Sequence, residues 1–211
     1  MIKKNKGLLI ITSLAMLLPM LIGLLLWDRL PEQMPFHWNI NGEVDAWSSK
    51  TMAVFGLPAI LLVFHWVCVF ACSFDPKNKE YPPVMLRIAL WICPGIGLLL
   101  SGLVYPAAMG HSMSVEIIMP LIMGLMFIII GNYLPKCKQS YTMGIKLPWT
   151  LNNEENWNKT HRFGGKVWVA GGVVIMATAI IGSFWIFIGL MALMMILPTV
   201  YSYRHYRKYE K

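Results

Sequence analysis

Charged side chains are scarce in this sequence, and acidic ones are the scarcest. Only 13% of the 211 residues are charged, with 10 acids against 18 lysines and arginines, while 57% are hydrophobic. Soluble domains carry roughly 45–50% apolar and about 25% charged residues. Polar residues this scarce cannot cover the surface of a globular protein in water. The composition therefore excludes an ordinary soluble domain and indicates an integral membrane protein.

Cysteines and catalytic motifs are also few. The four cysteines include no Cys-x-x-Cys pair and fall in apolar runs or in a connection predicted to be cytoplasmic, where disulfides rarely persist. The sequence has no phosphate-binding loop, no His-Glu-x-x-His helix and no Ser-His-Asp array. These absences predict a protein that is not an enzyme and that holds no metal or other cofactor.

Long apolar runs are abundant. A helix needs about 20 apolar residues to cross ~30 Å of hydrocarbon. We predict six spans, at residues 7–27, 51–72, 84–108, 115–134, 167–183 and 184–203. The first run is too long for a signal peptide, whose apolar core has about 7–15 residues, and no small-x-small cleavage site follows it. We therefore expect it to be retained.

The last two predicted spans form one uncharged run over residues 167–200. As a single helix this run would be roughly 50 Å long, which is far more than one crossing needs. Gly182 and Ser183 near its middle predict a turn, and hence six spans. Five spans is the alternative.

The basic residues predict the orientation in the membrane. All of the 18 lysines and arginines except Arg29 and Lys50 lie at the termini or near the second and fourth connections. Because lysine and arginine collect on the cytoplasmic side, both termini are predicted to be cytoplasmic. The net charge of +8 then reflects topology and attraction to anionic headgroups, and it does not indicate direct binding to nucleic acid.

Two polar segments separate the apolar runs: "LPEQMPFHWNINGEVDAWSSK" at residues 30–50 and "GNYLPKCKQSYTMGIKLPWTLNNEENWNKTHRFGGK" at residues 131–166. Together they resemble the SdpI family of bacterial membrane proteins. The first signature is matched by Leu30, Pro31, Pro35, His37 and Gly42, followed by Trp47 and Lys50. The second is matched by Gly131, Asn132, Gly144, Ile145, Pro148, Trp149, Thr150, Leu151, Trp157, Thr160, His161 and Arg162.

The chain departs from the family pattern at three positions of the second signature. Ser140 replaces a common asparagine, Lys146 a common arginine and Leu147 a common threonine. Lysine keeps the charge of arginine but loses its bidentate fork. Any carboxylate or carbonyl bound at that position would be held differently here.

The resemblance, together with the spans, implies an all-α integral membrane protein: a six-helix transmembrane bundle in the bacterial plasma membrane. Residues 1–75 would form an N-terminal two-helix unit with an extracellular loop, and residues 84–211 an SdpI-like four-helix unit with a cytoplasmic loop. The implied function is immunity to a secreted antimicrobial peptide toxin at the outer side. Some family members also act as receptors that sequester a DNA-binding repressor at the membrane.

The first polar segment is predicted to face outward. Its aromatic side chains suit either the headgroup region or a ligand. With the preceding Asp28 and Arg29 it contains four acids beside two bases, which favour a cationic ligand. One interpretation is an interfacial cap that anchors the first two spans, and the other is a recognition surface. The candidate ligand-binding residues are Phe36, His37, Trp38, Asn39, Gly42 and Trp47.

The second polar segment is predicted to face the cytoplasm. Asn152 and Glu155 have the spacing of a capping box, and Gly164-Gly165 would end the helix that they begin. Trp157 and His161 would share a face of that helix with Glu154. The segment is either an interfacial amphipathic helix or a surface for a regulatory partner. The candidate partner-binding residues are Gly144, Ile145, Lys146, Pro148, Trp149, Thr150, Trp157, His161 and Arg162.

Among the polar residues of the predicted spans, we single out two: His65, well inside the second span, and Asn132, near the inner end of the fourth. Ionisable groups inside a membrane are functional candidates, although a histidine there more often bonds another helix. If His65 couples to protons, the protein would instead be a secondary transporter or exporter of a peptide or ion.

Overall fold

The computed structural model describes residues 2–77, 81–181 and 183–209. Gly182 of the predicted turn lies outside the described residues, as do Lys79 and Lys211, two of the basic residues that predict the orientation. Among the described residues, six helices are long and apolar enough to cross a membrane, which confirms the predicted number of spans. Their bounds are Lys3–Leu25, Met52–Ser73, Pro83–Ala108, Val115–Lys136, Glu154–Ile181 and Phe184–Tyr209.

The first span is built from two α-helices, α1 (Lys6–Ala15) and α2 (Leu18–Leu25). Pro19 explains the interruption, because it donates no backbone hydrogen bond and its ring clashes with the carbonyl four residues earlier, at Ala15. A 3-10 turn, Lys3–Asn5, precedes α1, and another, Trp27–Arg29, follows α2. The second span opens with a π-helical turn, Met52–Gly56, and continues as α3 (Leu57–Ser73).

A β-hairpin joins the first two spans. Strand β1 (Gln33–Trp38) pairs antiparallel with β2 (Val44–Ser49). The all-α prediction omitted this sheet. The turn between the strands has Gly42 at φ 78°, a conformation that glycine adopts without a steric penalty.

The remaining helices are α4 (Pro83–Ala108), α5 (Val115–Tyr133), a short α6 (Pro148–Asn152), α7 (Glu154–Ile181) and α8 (Phe184–Tyr209). A 3-10 turn, Leu134–Lys136, follows α5. The chain leaves the helical conformation at Ser183, between α7 and α8, so the apolar run is divided into two spans as predicted.

The prediction that Gly164-Gly165 ends the helix is wrong, because α7 continues through both glycines. Both are buried, and a Cβ added to Gly165 would lie 2.6 Å from the carbonyl oxygen of Gly131 in α5. The glycine pair therefore permits close helix packing. The cap is also displaced by one residue: the Asn153 side chain, and not that of Asn152, accepts the N–H of Asn156 at 2.9 Å.

The chain forms two compact units. The first contains Met1–Ser73 and Leu86–Val115, and the second contains Phe74–Met85 and Glu116–Lys211. The two sequence segments proposed above differ from these units, because most of α4 belongs with the N-terminal helices. The division of the chain by its motifs into residues 1–75 and 84–211 stays a prediction.

Each unit has its own core. In the first unit the core joins the start of β1 to α4 and to the beginning of the second span, through Leu30, Met34, Val54 and Tyr105. In the second unit Met85, Cys137 and Trp157 pack together. The two polar segments with the family signatures therefore each lie against a folded core.

Candidate functional site

Two irregularities in the pairing of the hairpin make the burial of β1 depart from simple alternation: the extra residue is Phe36 of β1 in the first and Asp45 of β2 in the second. The register shifts between Pro35 and His37 and again between His37 and Trp38. A bulge adds a residue to one strand and re-aims its neighbours. Met34 and Pro35 are consequently both buried, whereas Phe36 and His37 are both exposed.

Four side chains form the exposed face of the hairpin. In β2, exposed side chains alternate with partly buried ones, so Asp45 and Trp47 point to the same side. Phe36 is 51% exposed and Trp47 56%. We call Phe36, His37, Asp45 and Trp47 the hairpin face.

The hairpin face combines aromatic surface with a polar pair. Nδ1 of His37 lies 2.6 Å from Oδ1 of Asp45. Exposed aromatic rings offer large contact areas to a peptide, and a carboxylate attracts cationic groups. Asp45 was absent from the predicted ligand-binding set, although its two-residue spacing from Trp47 in a strand could have indicated it.

The other predicted residues of this segment build the hairpin. Trp38 packs against the core of the first unit. The Asn39 side chain accepts the backbone N–H groups of Asn41 and Glu43, at 2.9 and 3.1 Å, and so closes the turn that contains Gly42. These residues position the hairpin face without being part of it.

Lys50 fixes the base of the hairpin. Its ammonium donates to the carbonyl oxygen of Trp27 at 3.2 Å and lies 2.9 Å from Oε1 of Glu32. The Lys50 side chain is buried, and Nζ lies 4.9 Å from the centroid of the Trp27 ring. The hairpin is thereby joined to the end of the first span.

An apolar cavity of about 150 Å³ lies beneath the hairpin, within the first unit. Phe36 and Trp38 line it from β1, Leu57 from α3, and Gly97 and Tyr105 from α4. Its size and lining suit an apolar side chain or part of an acyl chain. Because Phe36 belongs to both, the cavity adjoins the hairpin face.

The second unit contains the other signature, residues 131–166. We call the part of it between the 3-10 turn and α7, residues 137–153, the PWTL loop. The buried carboxylate of Asp75, in the connection between α3 and α4, anchors this loop. Five donors lie within 3.1 Å of Oδ2 of Asp75: the hydroxyls of Tyr81, Ser140 and Thr142 and the backbone N–H groups of Tyr141 and Thr142. The second and fourth connections thus meet, which is consistent with two crossings between them.

Burial alone would raise the pKa of the Asp75 carboxyl, because it penalises the charged form. The hydrogen bonds from Ser140, Thr142, Tyr81 and the Lys77 backbone stabilise the carboxylate more strongly and hold its pKa well below its usual range. Asp75 is therefore ionised at neutral pH. The Lys77 ammonium adds a contact of its own to the carbonyl oxygen of Leu151.

Trp157 and His161 form the centre of the PWTL loop's contact with α7. Both are fully buried, and their rings stack with centroids 4.0 Å apart. The Trp157 indole N–H donates to the carbonyl oxygen of Cys137 at 2.8 Å. Nδ1 of His161 donates to the Trp157 carbonyl oxygen at 2.8 Å, and Nε2 accepts the N–H of Ile145 at 2.9 Å. These two partners require the neutral Nδ1-protonated tautomer.

A second network joins the loop to α8. The Trp149 indole donates to the hydroxyl of Ser202 at 2.8 Å, and that hydroxyl donates to Oδ1 of Asn156 at 2.8 Å. The hydroxyl of Thr150 donates to the Ile145 carbonyl oxygen at 2.9 Å. The conformation of the PWTL loop is thus fixed by buried hydrogen bonds from both sides.

Comparison with known proteins now explains why two signatures occur in one chain. Residues 136–202 match the model of the SdpI/YfhL protein family, and residues 14–62 match a domain of unknown function, DUF1648. The chain is therefore similar to the SdpI family over residues 136–202. A curated relative, Immunity protein SdpI of Bacillus subtilis (strain 168), is 28% identical over 214 residues, which cover 98% of this chain and 97% of the relative. No solved structure matches.

With its six apolar helices, this protein is a multi-pass bacterial membrane protein. The family model covers residues 136–202, from the residue before the PWTL loop into α8, so it includes Trp157, His161, Asn156 and Ser202, which bond the loop, but not Asp75. The other matched segment runs from α1 into α3 and includes the whole hairpin.

The predicted partner-binding residues of the PWTL loop and of the first turns of α7 separate mainly into two groups. Thr150, Trp157 and His161 are buried and hold the loop together. The second group is exposed and consists of Gly144, Lys146, Pro148 and Arg162. Ile145 and Trp149 are partly buried, so the second group carries most of the surface that a partner would meet.

Sequence reasoning overlooked Asp75, Asn156 and Ser202. Asp75 stands alone in a short polar connection, far in sequence from the loop that it anchors. Asn156 and Ser202 lie in α7 and α8, where single polar residues within helices indicate buried hydrogen bonds. Their partners become evident only once the helices are packed.

Gly144 leaves no room for a side chain. Its φ is +116°, and an added Cβ would lie 2.5 Å from Nε2 of His161 and 2.7 Å from ring carbons of Trp157. We expect Gly144→Ala to lower the free energy of unfolding by about 2–4 kcal/mol, from backbone strain and overpacking together. Gly110 has φ +85° with open space around it. Gly110→Ala should therefore show only the strain, about 1–2 kcal/mol. Equal losses for the two variants in detergent would contradict the packing argument.

His65 and Asn132 have different environments. His65 is buried, and its Nε2 lies 3.3 Å from the hydroxyl of Thr12 in the first span, which also donates to the Leu8 carbonyl oxygen at 3.0 Å. This contact is the interhelical bond expected of a histidine within a span. Asn132 is exposed on α5, one residue before that helix ends. Among the described residues, no group of three or more His, Cys, Asp or Glu side chains could hold a metal ion.

Proposed function

We propose that this protein is a non-enzymatic immunity protein that protects the cell from a toxin acting at its membrane. The observation that carries the proposal is the similarity to Immunity protein SdpI along 98% of the chain. We further propose that the toxin is a secreted antimicrobial peptide and that it binds the hairpin face on the outside of the cell.

The surface of the hairpin favours a cationic, partly apolar peptide. Phe36 and Trp47 offer exposed aromatic surface, while Asp28, Glu43 and Asp45 are exposed acids nearby in sequence. Of the two bases near these acids, Arg29 is exposed, whereas Lys50 is buried and its charge is balanced by Glu32. The exposed charge is therefore predominantly negative, which would attract a cationic ligand.

Removing the aromatic side chains of the hairpin face should abolish most of the protection. Aromatic residues at the centre of an interface often contribute about 2 kcal/mol or more each. We expect Phe36→Ala/Trp47→Ala to lower the toxin concentration that kills sensitive cells at least about tenfold, relative to cells with the unaltered protein. The measurement is survival of toxin-sensitive bacteria that express each variant at equal membrane levels.

The matched control is Phe74→Ala/Trp185→Ala, which removes the same two types of side chain from exposed positions elsewhere, 80% and 74% exposed respectively. It should protect as well as the unaltered protein. If both double variants protect equally, the hairpin face is not the toxin site. If the unaltered protein itself gives no survival, the immunity proposal fails for the toxin tested.

We also propose that the exposed side of the PWTL loop binds a repressor when toxin is present. Lys146 and Arg162 supply positive charge there. Such signalling requires that the protein has two states and that the toxin and the repressor both bind the same state more tightly. We expect Lys146→Glu/Arg162→Glu to keep immunity but to abolish toxin-dependent changes in transcript levels. Unchanged transcript responses in that variant would reject this surface as the repressor site.

The second candidate function is a secondary transporter or exporter, and the contact between Thr12 and His65 favours it. A buried histidine that bonds a second span is a possible proton carrier. This candidate predicts that His65→Ala abolishes protection while the hairpin variant retains it, and that proteoliposomes take up labelled peptide along a pH gradient. The immunity proposal predicts the reverse pattern of survival.

A further inference from the structure

A groove on the second unit combines apolar, aromatic and basic side chains. Its volume is about 580 Å³. We call it the basic groove, and it is lined by Trp149, Thr199, Val200, Tyr203, Arg204, Arg207 and Lys208. The lining residues other than Trp149 belong to α8, at spacings of three and four residues, so they share one face of that helix.

The order of these residues along α8 follows the depth of a bilayer. The helix begins at Phe184, and about 20 residues are needed to cross the hydrocarbon. Thr199 and Val200 therefore lie at hydrocarbon depth and Tyr203 lies near the boundary. Arg204 and the basic residues beyond it reach the headgroup region, where aromatic and basic residues are enriched.

Trp149 forms the wall of the groove opposite α8, and its contacts hold it in place. The Trp149 indole donates to Ser202, and the Trp149 ring lies nearly parallel to that of Tyr206, with centroids 5.7 Å apart at 22°. Trp149 also contacts the ring of Tyr203, at 5.3 Å between centroids. The groove is consequently preformed and does not depend on a mobile aromatic side chain.

The basic side chains of the groove are available to a ligand. Arg204, Arg207 and Lys208 are exposed, and none of them makes an ion pair with a carboxylate in residues 2–77, 81–181 and 183–209. Guanidinium groups bind phosphate oxygens through two parallel hydrogen bonds. Three such charges beside an apolar wall match an anionic headgroup that is attached to an acyl chain.

We propose that the basic groove binds an anionic phospholipid, with its phosphate on Arg204, Arg207 and Lys208 and one acyl chain against Thr199 and Val200. The position of the apolar wall distinguishes this ligand from an acidic cytoplasmic protein, which would reach the basic residues but not hydrocarbon depth. Bound lipid would brace the end of α8 against the PWTL loop through Trp149.

Lipid binding to the full-length protein in a neutral detergent tests the proposal, with native mass spectrometry as the readout. We expect phosphatidylglycerol to bind at least about fivefold more tightly than phosphatidylcholine, since a single basic residue near an anionic surface contributes about that factor. The variant Arg204→Gln/Arg207→Gln/Lys208→Gln should lose at least about tenfold of the phosphatidylglycerol affinity and clearly less of the affinity for phosphatidylcholine, whose phosphate is offset by its own ammonium group. Thermal unfolding checks that the variant remains folded.

The control variant Lys3→Gln/Lys4→Gln/Lys6→Gln removes the same charge near the other terminus, and it should bind phosphatidylglycerol like the unaltered protein. Equal losses in both variants would show that net charge alone attracts the lipid and would overturn the proposal. Equal affinities for the two lipids would also overturn it. So would a polyglutamate peptide that binds the groove while phosphatidylglycerol does not, because that result identifies a protein-binding surface.

Discussion

Trp157→Ala is expected to lower the free energy of unfolding by about 3–5 kcal/mol, the range found when a large buried aromatic side chain is removed. Trp157 is 0% exposed, it stacks on His161, and its indole N–H holds the Cys137 carbonyl oxygen. The substitution would leave a cavity and one unpaired buried carbonyl group. Because these contacts fix the PWTL loop, we expect increased hydrogen exchange at Ile145 as well as a lower midpoint of thermal unfolding in detergent.

The control is Trp185→Ala in α8. Trp185 is 74% exposed, and its ring contacts the ring of its neighbour Phe184. In detergent the Trp185 side chain keeps a similar environment in the folded and unfolded states. We therefore expect Trp185→Ala to lower the free energy of unfolding by less than about 1 kcal/mol. Comparable losses for Trp157→Ala and Trp185→Ala would contradict the role assigned to the buried stack.

Asp75→Ala is expected to lower the free energy of unfolding by a similar amount, about 3 kcal/mol. It removes the acceptor shared by Ser140, Thr142 and Tyr81, and each buried donor left without a partner costs about 1–3 kcal/mol. Asp75→Asn retains one carbonyl oxygen and should lose less. Asp28→Ala, which removes an exposed carboxylate, should change the free energy of unfolding by less than about 0.5 kcal/mol.

Asp75 also predicts how stability depends on pH. Its pKa in the folded protein is held well below the usual range, so the unfolded chain binds more protons in acid. The stability that Asp75 contributes is fully present above the pKa of the unfolded carboxyl, near 3.8, and is lost as pH falls towards the folded pKa. The free energy of unfolding should therefore fall less steeply below about pH 4 in Asp75→Asn than in the unaltered protein. Identical slopes would contradict this assignment.

The membrane-spanning helices could be predicted from the sequence because the bilayer imposes a minimum apolar length on each crossing. The same reasoning separated α7 from α8 at residues 182 and 183. It failed at Gly164-Gly165, where the glycines permit close packing against Gly131 and do not end the helix. A glycine pair has both uses, and only the neighbouring helix determines which one applies.

The candidate site could be predicted less completely. The segment around His37 was identified by its motif, but the alternation that would have revealed a hairpin is interrupted by one extra residue in each strand, Phe36 in β1 and Asp45 in β2. At the start of α7, the sequence predicted Trp157 and His161 to form a partner surface, whereas the structure buries both. Asp75 was overlooked because its partners lie about 65 residues away in the chain.

The account rests on the two signatures facing opposite sides of the membrane, and labelling of single cysteines tests this most directly. In a variant whose four native cysteines are replaced by serine, Asn41→Cys reports on the turn of the hairpin and Asn158→Cys on the exposed side of α7 near the PWTL loop. We predict that a membrane-impermeant maleimide labels Cys at position 41 in intact cells and labels position 158 only after permeabilisation. Labelling of both positions, or of neither, in intact cells would contradict the account.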